Sequence, residues 1–235
     1  MLCKIADLIV EIPEAEGMPL RCREYQCSEK LKPDITILEE MYRYHVWPLL
    51  DGSGVAYMES GELFYTYFLQ FNGLMLHSSA VEMDGKAYLF SGPCGMGKST
   101  HTRIWQQTFG SAAQVFNDDK PALRRLDGKW YAYGTPWCGK DGINQNKKVP
   151  LAGICFLKQA SENKIHQLTA VEAVRRIISQ TRRSFVKVEN LDLMLQIVEK
   201  LALEIPVFEL ENRPEPEAAL LSYETMRRKA EEIGL

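Results

Sequence analysis

Eight consecutive residues, Gly92-Pro93-Cys94-Gly95-Met96-Gly97-Lys98-Ser99, fit the pattern G-x-x-x-x-G-K-[ST] in full. Glycines let such a loop turn tightly and aim successive amides inward, and the helix that comes next adds partial positive charge at its N-terminus. Lys98 can then reach terminal phosphates while the Ser99 hydroxyl takes a place on Mg²⁺, with Thr100 completing the candidate phosphate set. A glycine-rich turn with a surface lysine is the bland alternative. The flanks favour phosphate: apolar "KAYLF" precedes the loop and helix-competent "KSTHTRIWQQTFG" succeeds it.

Metal-assisted phosphate chemistry also needs a carboxylate, and "VFNDDK" supplies Asp118 and Asp119 at the end of a strand about twenty residues past the loop. Neighbouring residues at a strand end point in different directions, so one acid can bind Mg²⁺ while the other accepts a proton from an attacking hydroxyl. A turn of solvated acids is the competing reading. Further on, "YGTPWCGKDGIN" offers a flexible loop through Gly134, Gly139 and Gly142, a flat apolar face in Trp137, and a charge in Lys140 that can reach phosphate; a plain hairpin exit is equally compatible. In "QTRRSF", Arg182 and Arg183 are candidate phosphate clamps, though a solvated helix end is the simpler account. Cys94 and Cys138 flank the region without a visible base, which argues against a thiol nucleophile.

The elements that must position these residues fall into two textures. Residues 1–70 alternate apolar and polar positions in short bursts, among them "VAYMES" and "ELFYTYFLQF", with "DGSG" between bursts, and read as an antiparallel meander packed on the remainder of the chain. From residue 73 the pattern becomes α/β: a hairpin about Asp84-Gly85, the loop and its helix ending near Gly110, the acid-tipped strand, a hairpin about Asp127-Gly128, and a buried strand in "VPLAGICFLKQ". Thr169 and Glu172 stand at capping-box spacing, "ENLDLMLQIVEKLALE" is amphipathic, and strand "IPVFELE" leads to a closing helix. A β-rich segment at 1–72 and a catalytic domain at 73–235 are the expected division.

The totals exclude several classes. A net charge of -3 over 235 residues gives no general pull toward nucleic acid, and no apolar run approaches the length of a membrane span. Six scattered cysteines form neither a zinc ribbon nor a disulfide framework. The N-terminal stretch lacks the features of a secretory leader, so a cytoplasmic protein is expected.

Taken together, "LHSSAV", "FSGPCGMGKST" and "VFNDDK" resemble the catalytic core of HPr kinase/phosphorylase and, more distantly, ATP-dependent phosphoenolpyruvate carboxykinase; the likeness spans residues 73–160, with "IPVFELENRPEPEAALLSYETM" similar to the family's closing strand and helix. The resemblance implies a mixed-sheet phosphate-loop core in which Gly95, Gly97, Lys98 and Ser99 bind ATP phosphates and Mg²⁺. It further implies Asp119 as general base with Asp118 on the metal side, a division that the carboxykinases, where the second acid is a metal ligand, leave open. His77, fifteen residues before Gly92, would sit near the transferred phosphate. Compact members similar to this chain modify peptide serines, and HPr kinases form multimers, which makes a peptide acceptor and self-association the matching expectations. Substrate choice is not carried over, because the glutamate and arginine segment of the bifunctional enzymes is replaced here by "YGTPWCGKDGIN". The expected activity is ATP-dependent transfer of the γ-phosphate to a serine-type hydroxyl; a small-molecule phosphotransferase, an ATPase or an inactive nucleotide-binding module are the alternatives.

Overall fold

The computed structural model describes residues 1–27, 31–181 and 188–235. It opens with strands β1 (Leu2–Ile5) and β2 (Leu8–Glu11), a single helical turn α1 (Met18–Arg21), strand β3 (Ile35–Thr36) and a long helix α2 (Gly52–Phe68). β1 and β2 pair antiparallel, and β3 adds parallel to β2. Strands β4 (Gly73–Met75), β5 (Ser78–Met83) and β6 (Lys86–Ser91) lead to helix α3 (Lys98–Phe109), and then to β7 (Gln114–Asp119), β8 (Ala122–Leu126), β9 (Lys129–Tyr133) and β10 (Lys148–Gln159). The chain closes with β11 (Lys164–Gln167), helices α4 (Ala170–Gln180) and α5 (Val188–Glu204), strand β12 (Val207–Asn212) and helix α6 (Pro216–Glu232).

Among the described residues nine strands join in one mixed sheet, ordered β4-β8-β9-β10-β6-β5-β7, with β12 and β11 continuing from β10. The fold is α/β. Long β10 pairs antiparallel with β9 at its start and parallel with β6 and β12 beyond. Both faces of the central strands are covered, which explains their unbroken apolar runs. Ala87 and Leu89 of β6 join Ile154 and Phe156 of β10 beneath α4 and α5, while the alternate residues Tyr88, Phe90, Cys155 and Leu157 pack with α3 and α6. The capping box at Thr169 and Glu172 forms, and both Asp-Gly hairpins close with the two central residues at positive φ. No helix among the described residues is long and apolar enough to cross a membrane.

The N-terminal meander requires correction. The expected turn at 51–54, the strand expected at 55–60 and the aromatic cluster from Phe64, compatible with a strand or a short helix, run together into one helix, α2. "DGSG" starts that helix instead of turning a hairpin: the Asp51 side chain accepts from the Gly54 amide at 2.7 Å, since an aspartate that favours turns also caps helices. The buried residues Ala56, Ser60, Phe64 and Phe68 recur every fourth position, a helical period hidden by interspersed aromatics. "MPLRCREYQC" and "YRYHVWPL" likewise give short helical turns. The face of α2 packs with β1–β3, with Met75, Ala122 and Tyr133 of the sheet's β4-β8-β9 wing, and with Trp137 of the loop after β9.

Candidate functional site

The glycine loop joins β6 to α3, between the central sheet and the helix that covers it. Gly95 (φ 79°) and Gly97 (φ 95°) hold left-handed backbone, and a Cβ on either would meet no atom within 4 Å. Glycine is required there for conformation, and the space beside the loop stays open. Lys98 is buried, with Nζ donating to the carbonyls of Gly92 (2.9 Å) and Pro93 (3.2 Å). Burial lowers the pKa of its ammonium, with Asp119, Cys94 and Asp118 acting the other way.

β5 runs beside β7 with Ser79 opposite Asp118 and Ser78 opposite Asp119. This register delivers both acids to the loop side of the sheet and sends them apart. Asp118 turns to α3, where Ser99 Oγ donates to its Oδ2 (2.9 Å) and lies 3.2 Å from its Oδ1. Asp119 turns to the segment before β5: His77 Nε2 lies 3.1 Å from its Oδ1, and Lys120 Nζ donates to its Oδ2 at 2.6 Å. Asp119 has φ 101°, an uncommon conformation for a residue with a side chain. Burial by itself would push its carboxyl up; the hydrogen bond from His77 and the charge and hydrogen bond of Lys120 override that and hold it at about 2.

These groups line a cleft of about 490 Å³ together with Cys94, Gly95, Gly97, Thr100, Arg103 and the 139–141 segment. His77, Lys98, Ser99, Asp118, Asp119 and Lys140 therefore share one cavity, Lys140 from an exposed position. Gly92, Pro93 and Met96 do not line it; Met96 borders a neighbouring hollow with Gln159 and Asn212. Arg103 of α3 is ion-paired with Asp141 at the mouth. Among the described residues, no group of three or more His, Cys, Asp or Glu side chains could hold a metal by themselves.

Two readings of the 134–142 loop change. Trp137 is fully buried, stacked on Phe64 of α2 with centroids 4.7 Å apart, and its Nε1 donates to Ser60 Oγ at 3.0 Å. It belongs to the α2 core and offers no face to the cleft. Gly134 serves close packing instead of flexibility: a Cβ there would lie 1.8 Å from the Gln145 carbonyl oxygen. Arg182 and Arg183 lie outside the described residues. Two residues of the site carry no signal of their own in the sequence: Lys120, although it stands directly after the two acids, and Tyr57, which sits on α2 in a stretch of strand-like pattern. Tyr57 Oη accepts from Lys120 Nζ (2.7 Å) and donates to the Cys138 carbonyl (2.9 Å).

The fold and site define a mixed-sheet α/β protein with a glycine loop facing two divergent acids. A family model described as SynChlorMet cassette protein ScmC matches residues 54–212, and the chain belongs to the ScmC family. No curated protein matches it. Among solved structures it is similar to the HPr(Ser) kinase/phosphatase from Coxiella burnetii, at 12% identity and a TM-score of 0.37, over 66% of this chain and 88% of that one. The likeness is distant.

Proposed function

We propose that this protein is an ATP-dependent kinase similar to the HPr serine kinases, transferring the γ-phosphate to a serine-type hydroxyl, with a peptide or protein the first acceptor to test. The observation that carries the reading is the split of adjacent acids: Asp118 meets the helix-start hydroxyl of Ser99, while Asp119 faces His77 and stays free of that hydroxyl. A hydroxyl and a single carboxylate suit Mg²⁺, which binds through one or two protein ligands plus phosphate oxygens. Ser99 and Asp118 would hold the ion, which supplies charge neutralisation when bound. The open loop at Gly95 and Gly97 and the Lys98 ammonium fit a polyphosphate. The acceptor hydroxyl gives its proton to Asp119 as its oxygen bonds to the γ-phosphorus; the bond to the β-phosphate oxygen breaks, and its electron pair leaves on ADP. Positioning and electrostatics supply most of the acceleration in such transfers. ATP, Mg²⁺ and cysteines that form no disulfide among the described residues suit a cytoplasmic setting.

The test is incubation of the chain with γ-labelled ATP, Mg²⁺ and a panel of serine peptides and small hydroxy compounds, with the label located by mass spectrometry. Label on a serine supports the kinase reading. Label only on a small molecule or in free phosphate replaces it with a phosphotransferase or an ATPase. Binding of ATP without turnover leaves a nucleotide-responsive module.

A further inference from the structure

We infer that Lys120, anchored by Tyr57 of α2, is the positioning residue that fixes the Asp119 carboxylate for proton abstraction. The inference takes its catalytic meaning from the kinase reading above, but its physical content is testable without turnover.

Asp119 sits at the very end of β7 with φ 101°, a conformation that persists only where the surroundings hold the residue in place. Two donors hold its side chain. His77 occupies Oδ1 and Lys120 occupies Oδ2, at 3.1 and 2.6 Å. A carboxylate oxygen carries two lone pairs, so each oxygen keeps one for an incoming hydroxyl. The Lys120 ammonium is also held by Tyr57 Oη at 2.7 Å and lies 4.7 Å from the centroid of that ring. Tyr57 is tied in turn to the Cys138 carbonyl, and the Arg21 guanidinium lies over its ring, 4.5 Å from the centroid. The N-terminal part of the chain thus reaches the reacting carboxylate through Tyr57 and a lysine.

The other groups facing Asp119 do not duplicate this role. Asp119 raises the charging cost of Tyr57 and Tyr65 of α2 and of the Cys138 thiol and takes no donor from them, Asp118 is a second acceptor beside it, and Lys98 is committed to the loop carbonyls. Arg103, Lys140 and Asp141 stand further out in the cleft, with Arg103 and Asp141 paired to each other.

The test compares crystal structures of the parent and of Lys120→Met and, with an active acceptor, their kinetics. Lys120→Met is expected to turn the Asp119 carboxylate away from the orientation that His77 and Lys120 give it, and Lys120→Arg to keep that orientation. With an active acceptor, kcat of Lys120→Met falls about tenfold while KM for ATP stays within about twofold, since Lys98, Ser99 and Asp118 hold the nucleotide, and Lys120→Arg restores most of the loss. If Lys120→Met does not fold, Tyr57→Phe reads the same chain from its anchor: the lysine and the carboxylate must both shift. An Asp119 carboxylate unmoved in whichever variant folds, or a kcat within about twofold of the parent, overturns the inference and leaves the kinase reading standing. A displaced carboxylate in a protein that transfers no phosphate keeps the carboxylate–lysine contact and removes the kinase.

Discussion

Replacing Trp137 tests the packing that ties α2, and with it Tyr57, to the acid-bearing strand. The indole is wholly buried against Phe64 and Tyr65, and its N–H bonds Ser60, whose hydroxyl also donates to the Tyr57 carbonyl at 3.5 Å. In Trp137→Phe one ring of the pair survives. The lost apolar surface is worth about 1 kcal/mol at about 25 cal/mol per Å². The missing hydrogen bond contributes about 1 kcal/mol more, and Ser60 keeps a carbonyl partner, so no stranded polar group adds to the cost. Trp137→Phe is therefore expected to lose about 2 kcal/mol, or about 4–8 °C in Tm for a chain of this length, and Trp137→Ala about 3–5 kcal/mol. Urea unfolding monitored by circular dichroism measures the loss, with ATP binding by calorimetry on the same samples. A Trp137→Phe protein as stable as the parent to within about 0.5 kcal/mol, yet with altered ATP affinity, would place the ring on the cleft and refute the reasoning.

Ser99→Ala and Asp118→Asn are each expected to remove most of the Mg²⁺-dependent part of ATP binding, about tenfold or more in Kd by calorimetry with and without the metal, while binding in EDTA changes little. Asp119→Asn is expected to keep ATP binding and abolish label transfer. The same substitution carries a pH signature: the Asp119 carboxyl lies near 2 in the folded chain against an ordinary 3.8, so its contribution is complete above pH 4 and lost as pH falls toward 2. That depression is worth about 2 kcal/mol, so the variant should unfold more easily at pH 7 and the gap to the parent should close below pH 4, as read by urea titrations at several pH values. Gly134→Ala drives a methyl into the Gln145 carbonyl and is expected to cost about 3 kcal/mol or more in the same assay, whereas Gly85→Ala, in open space but at φ 70°, should cost about 1 kcal/mol.

Structure is legible in this sequence wherever few residue types can satisfy a requirement. Positive φ at both central turn positions is met cheaply by Asp-Gly, so the β5–β6 and β8–β9 hairpins stand out. The Thr169–Glu172 box announces its helix because two orphan amides need those two side chains. The loop at 92–99, His77 and the paired acids are marked by type and spacing, and the structure gathers His77, Lys98, Ser99 and both acids into one cleft. Helix α2 is illegible because Tyr57, Phe64, Tyr65 and Phe68 have strand-like propensities, and burial on the β4-β8-β9 wing overrides them. Lys120 and Tyr57 escape for a related reason: their contact spans 63 positions and exists only once α2 is laid across the end of β7. Trp137 misleads because an aromatic in a glycine-bearing loop looks the same on paper whether it lines a cavity or fills a core.

β7 is an outer strand of the sheet, and the segment after the β9 exit is laid along its free edge: the Asp118 amide donates to the Ile143 carbonyl, Gln145 to Phe116, and Gly139 to Asp118. The stretch that borders the cleft is thus also the cover that keeps an open strand from recruiting another chain. The side chains at 140 and 141 line the cleft without carrying this seam, so substitutions there leave the cover intact. Insertions or deletions in the seam itself would instead bare the β7 edge to self-association.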